Sequence, residues 1–164
     1  MEKLEYIVKE LEYNFNGNRR YQTIILITDT PTTVAVKEIS EFVQSIEKKL
    51  SDTGISCETI DFLKDVVSKG EFPLGDTGNS FNELIDCLKR RAKPPKRCLL
   101  VYEIDSLLST WNNTDIKAFF KKILYHDGIG MPILLISHIA GKFSLPTSPT
   151  GQGLVIRQSD EEVQ

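Results

Sequence analysis

The sequence predicts an α/β fold: a single doubly wound, mostly parallel sheet with helices on both faces. Short apolar runs at Ile24–Ile27, Leu99–Tyr102 and Ile133–Ile136 have the length and composition of strands buried on both faces. Between them lie stretches with helical apolar spacing, such as Val36, Ile39, Phe42, Val43, Ile46 and Leu50. The two patterns alternate along the chain, as they do where helices carry the crossovers between parallel strands.

Leu4, Ile7, Val8, Leu11 and Phe15 recur at helical spacing, so residues 3–16 read as an amphipathic helix within an N-terminal segment 1–18, which Asn16-Gly17-Asn18 closes. That helix is free either to cover a sheet edge or to dock on a partner. Tyr21 to Ile27 is the first strand. Thr30 followed by Pro31 predicts the start of the next helix, because proline suits the first helical position and threonine caps free amides. That helix runs to Lys48-Lys49, where cations suit the dipole. Asp52-Thr53-Gly54 turns the chain into a short strand at Ser56–Ile60, and residues 61–67 read as a brief helix. Residues 69–79 are irregular, and Ser80-Phe81-Asn82-Glu83 is a capping box that opens a helix through Leu84, Ile85 and Leu88. Pro94-Pro95 ends it and delivers the chain to a strand at Cys98. Asn112-Asn113-Thr114 caps a helix that buries Ile116, Phe119, Phe120, Ile123 and Leu124. Gly128-Ile129-Gly130 breaks that helix before the strand Ile133–Ile136, a polar loop spans Phe143–Gly153, and Leu154-Val155-Ile156 is the last strand. Residues 157–164 form an acidic tail.

A chain of 164 residues suits one domain with a proper core. A formal net charge of −3 gives no global pull toward nucleic acid or anionic membrane, and the apolar runs are far too short to span a bilayer. The N-terminus lacks the basic start and apolar stretch of a signal peptide. Cys57, Cys87 and Cys98 form no CxxC pair and read as reduced, buried thiols, so the expected location is the cytoplasm. His126 and His138 are too few to build a metal site. No GxSxG or GxGxxG motif appears, which removes an α/β-hydrolase and a dinucleotide site from consideration.

The segment Cys98-Leu99-Leu100-Val101-Tyr102-Glu103-Ile104-Asp105-Ser106-Leu107-Leu108 carries the clearest signal of function. Its carboxylates fall just past the carboxyl end of a buried strand, where open α/β sheets bind ligands. It resembles the Walker B segment of AAA+ and related P-loop ATPases, in which four apolar residues lead into Asp-Glu, often followed by Ile-Asp and a small residue. The resemblance implies a P-loop NTPase-like sheet, here without a lid domain. It places Glu103 at the position of the base that polarises the attacking water, with Asp105 beside it. The family's metal-linked Asp falls on Tyr102. By the same resemblance, Ser137 or His138, at the end of the strand Ile133–Ile136, takes the place of the polar residue on the γ-phosphate side. Each of these residues also has a structural use, as a helix cap or as a satisfied strand terminus. Paired metal ions on Asp29, Asp61, Glu103 and Asp105 would be a nuclease-like alternative.

The loop after the first strand departs from that family. A phosphate-binding turn needs glycines, so that backbone amides can wrap the anion, and a lysine to meet its charge. Thr28-Asp29-Thr30-Pro31-Thr32-Thr33-Val34-Ala35 has neither. The family's lysine falls on Val34 and its Ser/Thr on Ala35, and Pro31 has no amide proton. Weak binding at Thr30, Thr32, Thr33 and Lys37 is the most this loop offers a nucleotide, so ATP with Mg is only an alternative to no cofactor.

Lys89, Arg90, Arg91, Lys93, Lys96 and Arg97 put six cations into nine residues. They suit solvated charges at a helix C-terminus, an acidic patch on a partner, or nucleic-acid phosphates. No aromatic residue interleaves them to stack on single strands. AAA+ proteins that have lost their motifs often persist as partners of active subunits. Small, motif-poor, lid-less P-loop-like proteins of this layout also occur in bacterial phage-defence operons, notably as accessory components of BREX systems. The resemblance therefore implies a catalytically inactive subunit that binds another protein in a larger bacterial assembly. The alternatives are a weak NTPase completed in trans and a DNA-contacting accessory protein.

Overall fold

A computed structural model of the chain describes residues 3–14, 22–72, 81–125, 129–145 and 153–159. Five strands, β1 (Thr23–Ile27), β2 (Cys57–Asp61), β3 (Cys98–Tyr102), β4 (Ile133–Ser137) and β5 (Gly153–Arg157), form one sheet in the order β2-β3-β4-β1-β5, and every pairing is parallel. The helices are α1 (Leu4–Tyr13), α2 (Val36–Asp52), α3 (Phe81–Arg91), the short α4 (Asp105–Leu108) and α5 (Asn113–Tyr125). A π-helical turn spans Leu63–Val67 and a 3-10 turn spans Ile139–Lys142.

The strand order explains why β1 and β4 are buried throughout. Both lie inside the sheet and are covered on both faces, so every residue of each is buried. Successive residues point to opposite faces and join two separate cores. Ile24 and Leu26 pack with α1 and α2, whereas Ile25 and Ile27 pack with α3 and α5. From β1 the chain runs toward β2, and from β2 onward it returns the other way. Right-handed crossovers therefore place α2 on one face and α3 and α5 on the other. Fully buried side chains such as Ile39, Ile46 and Leu50 on α2 each contribute about 2 kcal/mol of burial.

Helix α1 covers the sheet. Ile7 and Leu11 are completely buried beside α2 and β5, and Lys3 Nζ donates to the carbonyl of Arg157. Its apolar face is thus spent within the chain. The expected helix start at Thr30-Pro31 is corrected. The amides of Val34 and Ala35 both donate to the Pro31 carbonyl, closing a separate turn, and the helix begins only at Val36. With no side chain capping that end, Val36 is left 45% exposed instead of joining the buried face. At α5 the expected cap holds, with Asn112 Oδ1 accepting the Asp115 amide at 2.9 Å. Ser80 of the expected capping box, Asn16-Gly17-Asn18, most of the loop Phe143–Gly153 and most of the tail 157–164 lie outside the described residues.

Candidate functional site

β1 sends its connection to one face of the sheet, and its neighbour β4 sends its connection to the other. The chain parts at their carboxyl ends, and a crevice opens there. The crevice holds a cavity of about 330 Å³. The loop after β1 contributes Pro31, Thr32 and Thr33, the segment after β3 contributes Asp105, Ser106 and Ser109, and the turn after β4 contributes His138, Ile139 and Lys142. Of the residues singled out in the sequence, the crevice gathers Thr32, Thr33, Asp105 and His138. Thr30 and Lys37 are exposed and do not line it.

Asp105 ties two strand ends together. Its carboxylate accepts the Ser137 hydroxyl at 2.6 Å, the His138 amide at 2.8 Å and the Ile139 amide at 3.2 Å. Ser137 Oγ in turn accepts the Ala140 amide at 3.1 Å. Burial raises the Asp105 carboxyl above its ordinary value, and these three donors hold it back. Asp105 and Ser137 are therefore occupied with fastening β3 to β4. His138 is oriented from behind: its Nδ1 lies 2.8 Å from the Thr28 carbonyl, which can only accept. Nδ1 therefore carries the proton, and Nε2 is the ring nitrogen left for a ligand.

Glu103 stands apart. The chain reverses sharply between β3 and α4, and Glu103 takes the bend at φ +62°, a left-handed conformation costing a non-glycine residue about 1–2 kcal/mol. The Ser106 hydroxyl holds the Glu103 carbonyl at 2.7 Å. The side chain is 4% exposed, and its Oε1 is buried without a hydrogen-bond partner. Burial, then the neighbouring carboxylates of Asp61 and Asp105, push its acid up to about 7. Strain and a displaced acidity constant at one strand end mark a place where structure has been spent on something besides stability. Nothing in the sequence signals the left-handed bend.

The residues present do not fit MgATP. Thr28 N donates to the Ser137 carbonyl, Asp29 N to Gln158 Oε1, and the amides of Val34 and Ala35 to Pro31. Those amides are already engaged, no lysine stands in the loop, and the residue before Glu103 is Tyr102 and not a carboxylate. Among the described residues, no group of three or more His, Cys, Asp or Glu side chains is placed to hold a metal ion. Asp61 turns toward its own backbone, its Oδ1 accepting the Lys64 amide at 3.1 Å.

The basic run lies at the amino end of β3, at the opposite end of the strands from the crevice. Lys89, Arg90, Lys93 and Arg97 are exposed and Lys96 is half-buried. Arg91 is committed internally: it pairs with Glu71 at 2.8 Å, lies 3.9 Å from Glu58, and donates to the Asp65 carbonyl. That removes one cation from any surface the run presents. The crevice also takes in Ser106, Ser109, Ile139 and Lys142. Their only sequence signal is position just after a predicted strand, a signal too common to single them out. Among the described residues, no helix is long and apolar enough to cross a membrane. No family model matches this chain, and a search among curated proteins finds no match.

Proposed function

We propose that this chain is a P-loop-like subunit that does not turn over nucleotide and works by binding a protein partner within a larger bacterial assembly. The BREX-type phage-defence setting is proposed on the resemblance read from the sequence. The observation that carries the proposal is the loop from Thr28 to Ala35, in which the amides of Thr28, Asp29, Val34 and Ala35 close on the chain's own acceptors and whose helix begins a turn late. The loop itself brings a phosphate no glycine-rich turn and no lysine. The same loop leaves Val34 76% and Val36 45% exposed, an apolar rim beside the crevice that favours contact with a protein over a nucleotide.

Calorimetric titration with ATP, with and without Mg²⁺, tests the first half of the proposal. The expected affinity is weaker than about 1 mM, a binding free energy no better than about −4 kcal/mol. Micromolar affinity that disappears in Glu103→Gln or Lys37→Ala overturns it. For the second half, the tagged chain purified from its native host is expected to retain a partner that the Val34→Asp/Val36→Asp variant loses. Equal retention by both removes the apolar rim from the interface.

Glu103 favours a second reading, a weak NTPase whose site a partner's residues complete. A strained, buried carboxyl poised near neutrality is an expensive feature for a pure platform. Nucleotide hydrolysis that appears only with the co-purified partner, and is lost in Glu103→Gln, would favour this reading over the first.

A further inference from the structure

We propose that Cys57 and Cys98 form a redox-responsive dithiol, closing to a reversible disulfide that joins the edge strand β2 to β3. The inference is independent of the crevice, which lies at the other end of the strands. Cys57 and Cys98 open their strands and are direct register partners across a parallel pair. Neighbouring strands lie about 4.8 Å apart, inside the Cα separation of about 4.4–6.8 Å that disulfides span. Both side chains point into the same core, beneath α2, where the Cys98 thiol donates to the Leu99 carbonyl at 3.8 Å. Cys87 sits on α3, across the sheet in the other core.

The pair is asymmetric in the way exchange chemistry requires. Cys57, on the outermost strand, is 8% exposed, whereas Cys98 is fully buried. The adjoining Cys98 thiol brings the pKa of Cys57 below its ordinary value against the effect of burial, with Lys96 assisting and Glu47 opposing, while Cys98 is held well above its own ordinary value. The oxidant would be a low-molecular-weight disulfide, RS–SR. The Cys57 thiolate attacks one sulfur of RS–SR, forming a mixed disulfide and releasing RS⁻. The Cys98 sulfur, giving up its proton, then attacks the Cys57 sulfur and expels the second RS⁻. Two protein thiols become one disulfide, and RS–SR becomes two RSH that carry the two thiol protons.

The full chain, first fully reduced, is incubated without denaturant with oxidised glutathione and then alkylated, weighed intact and mapped by peptide mass. The expected product loses two of its three alkylatable thiols and is lighter by about 2 Da before alkylation. It yields a Cys57–Cys98 linked peptide and reverts with dithiothreitol. Cys87→Ser is expected to react in the same way, which keeps the test valid if Cys57→Ser or Cys98→Ser does not fold. Three unreacted thiols, a glutathione retained on Cys57, or any linkage involving Cys87 overturns the proposal.

Discussion

The buried carboxyl of Glu103 makes a quantitative demand on stability. Its pKa rises from an ordinary 4.5 to about 7 in the folded chain, so folding favours the protonated form. The stability it contributes is therefore fully present below pH 4.5 and is lost as pH rises toward about 7. At 1.36 kcal/mol per pH unit the full displacement is worth about 3 kcal/mol. Screening from the nearby crevice reduces that to on the order of 2 kcal/mol. Glu103→Gln keeps the size and the left-handed backbone while removing the titration. Asp105, also raised, is present in both proteins and cancels in the comparison. Urea unfolding of the two proteins at pH 4.5 and above about pH 7.5 is the assay. The Gln variant is expected to gain about 2 kcal/mol on the parent between the two conditions, or about 1 M in midpoint for an m-value near 2 kcal/mol/M. Parallel pH profiles would refute the reasoning, because they would mean that the carboxyl is solvated in the folded chain.

Other substitutions probe the scaffold around the crevice. Asp105→Asn keeps the shape but turns an NH₂ toward at least one of three donors, so unfolding free energy should fall by about 2–3 kcal/mol in denaturant titration. Gly153→Ala would put a Cβ 3.0 Å from Leu124 Cα and well inside contact with Leu124 Cδ2, so α5 must shift off β5. The expected loss is about 1–3 kcal/mol, and an unchanged midpoint would mean that this contact relaxes freely. Arg90→Ala should leave stability within about 0.5 kcal/mol, because Arg90 is exposed at the end of α3. Arg91→Ala should lower the midpoint measurably, because its guanidinium holds Glu71 and the Asp65 carbonyl. Equal effects of the two would show that the Arg91 contacts contribute nothing.

Local patterning carries most of the architecture. Apolar runs such as Ile133–Ile136 and the helical spacing of Ile39, Phe42, Val43 and Ile46 are properties of neighbours in the chain, and they specify strands and helices wherever those land. The absence of glycine and lysine from Thr28–Ala35 is equally local. The placement of β4 between β1 and β3 is a long-range event, and the site follows from it. That insertion brings Ser137 and the His138 amide onto Asp105, sets His138 against Thr28, and encloses Glu103 beside Asp61. The pairing of β2 with β3, equally long-range, leaves Cys57 level with Cys98 on adjoining strands. Burial, electrostatic neighbours and backbone reversal depend on contacts between residues tens of positions apart. The chain's order names the groups, and the packing sets which carboxyl is a fastener, which is strained and which thiols meet.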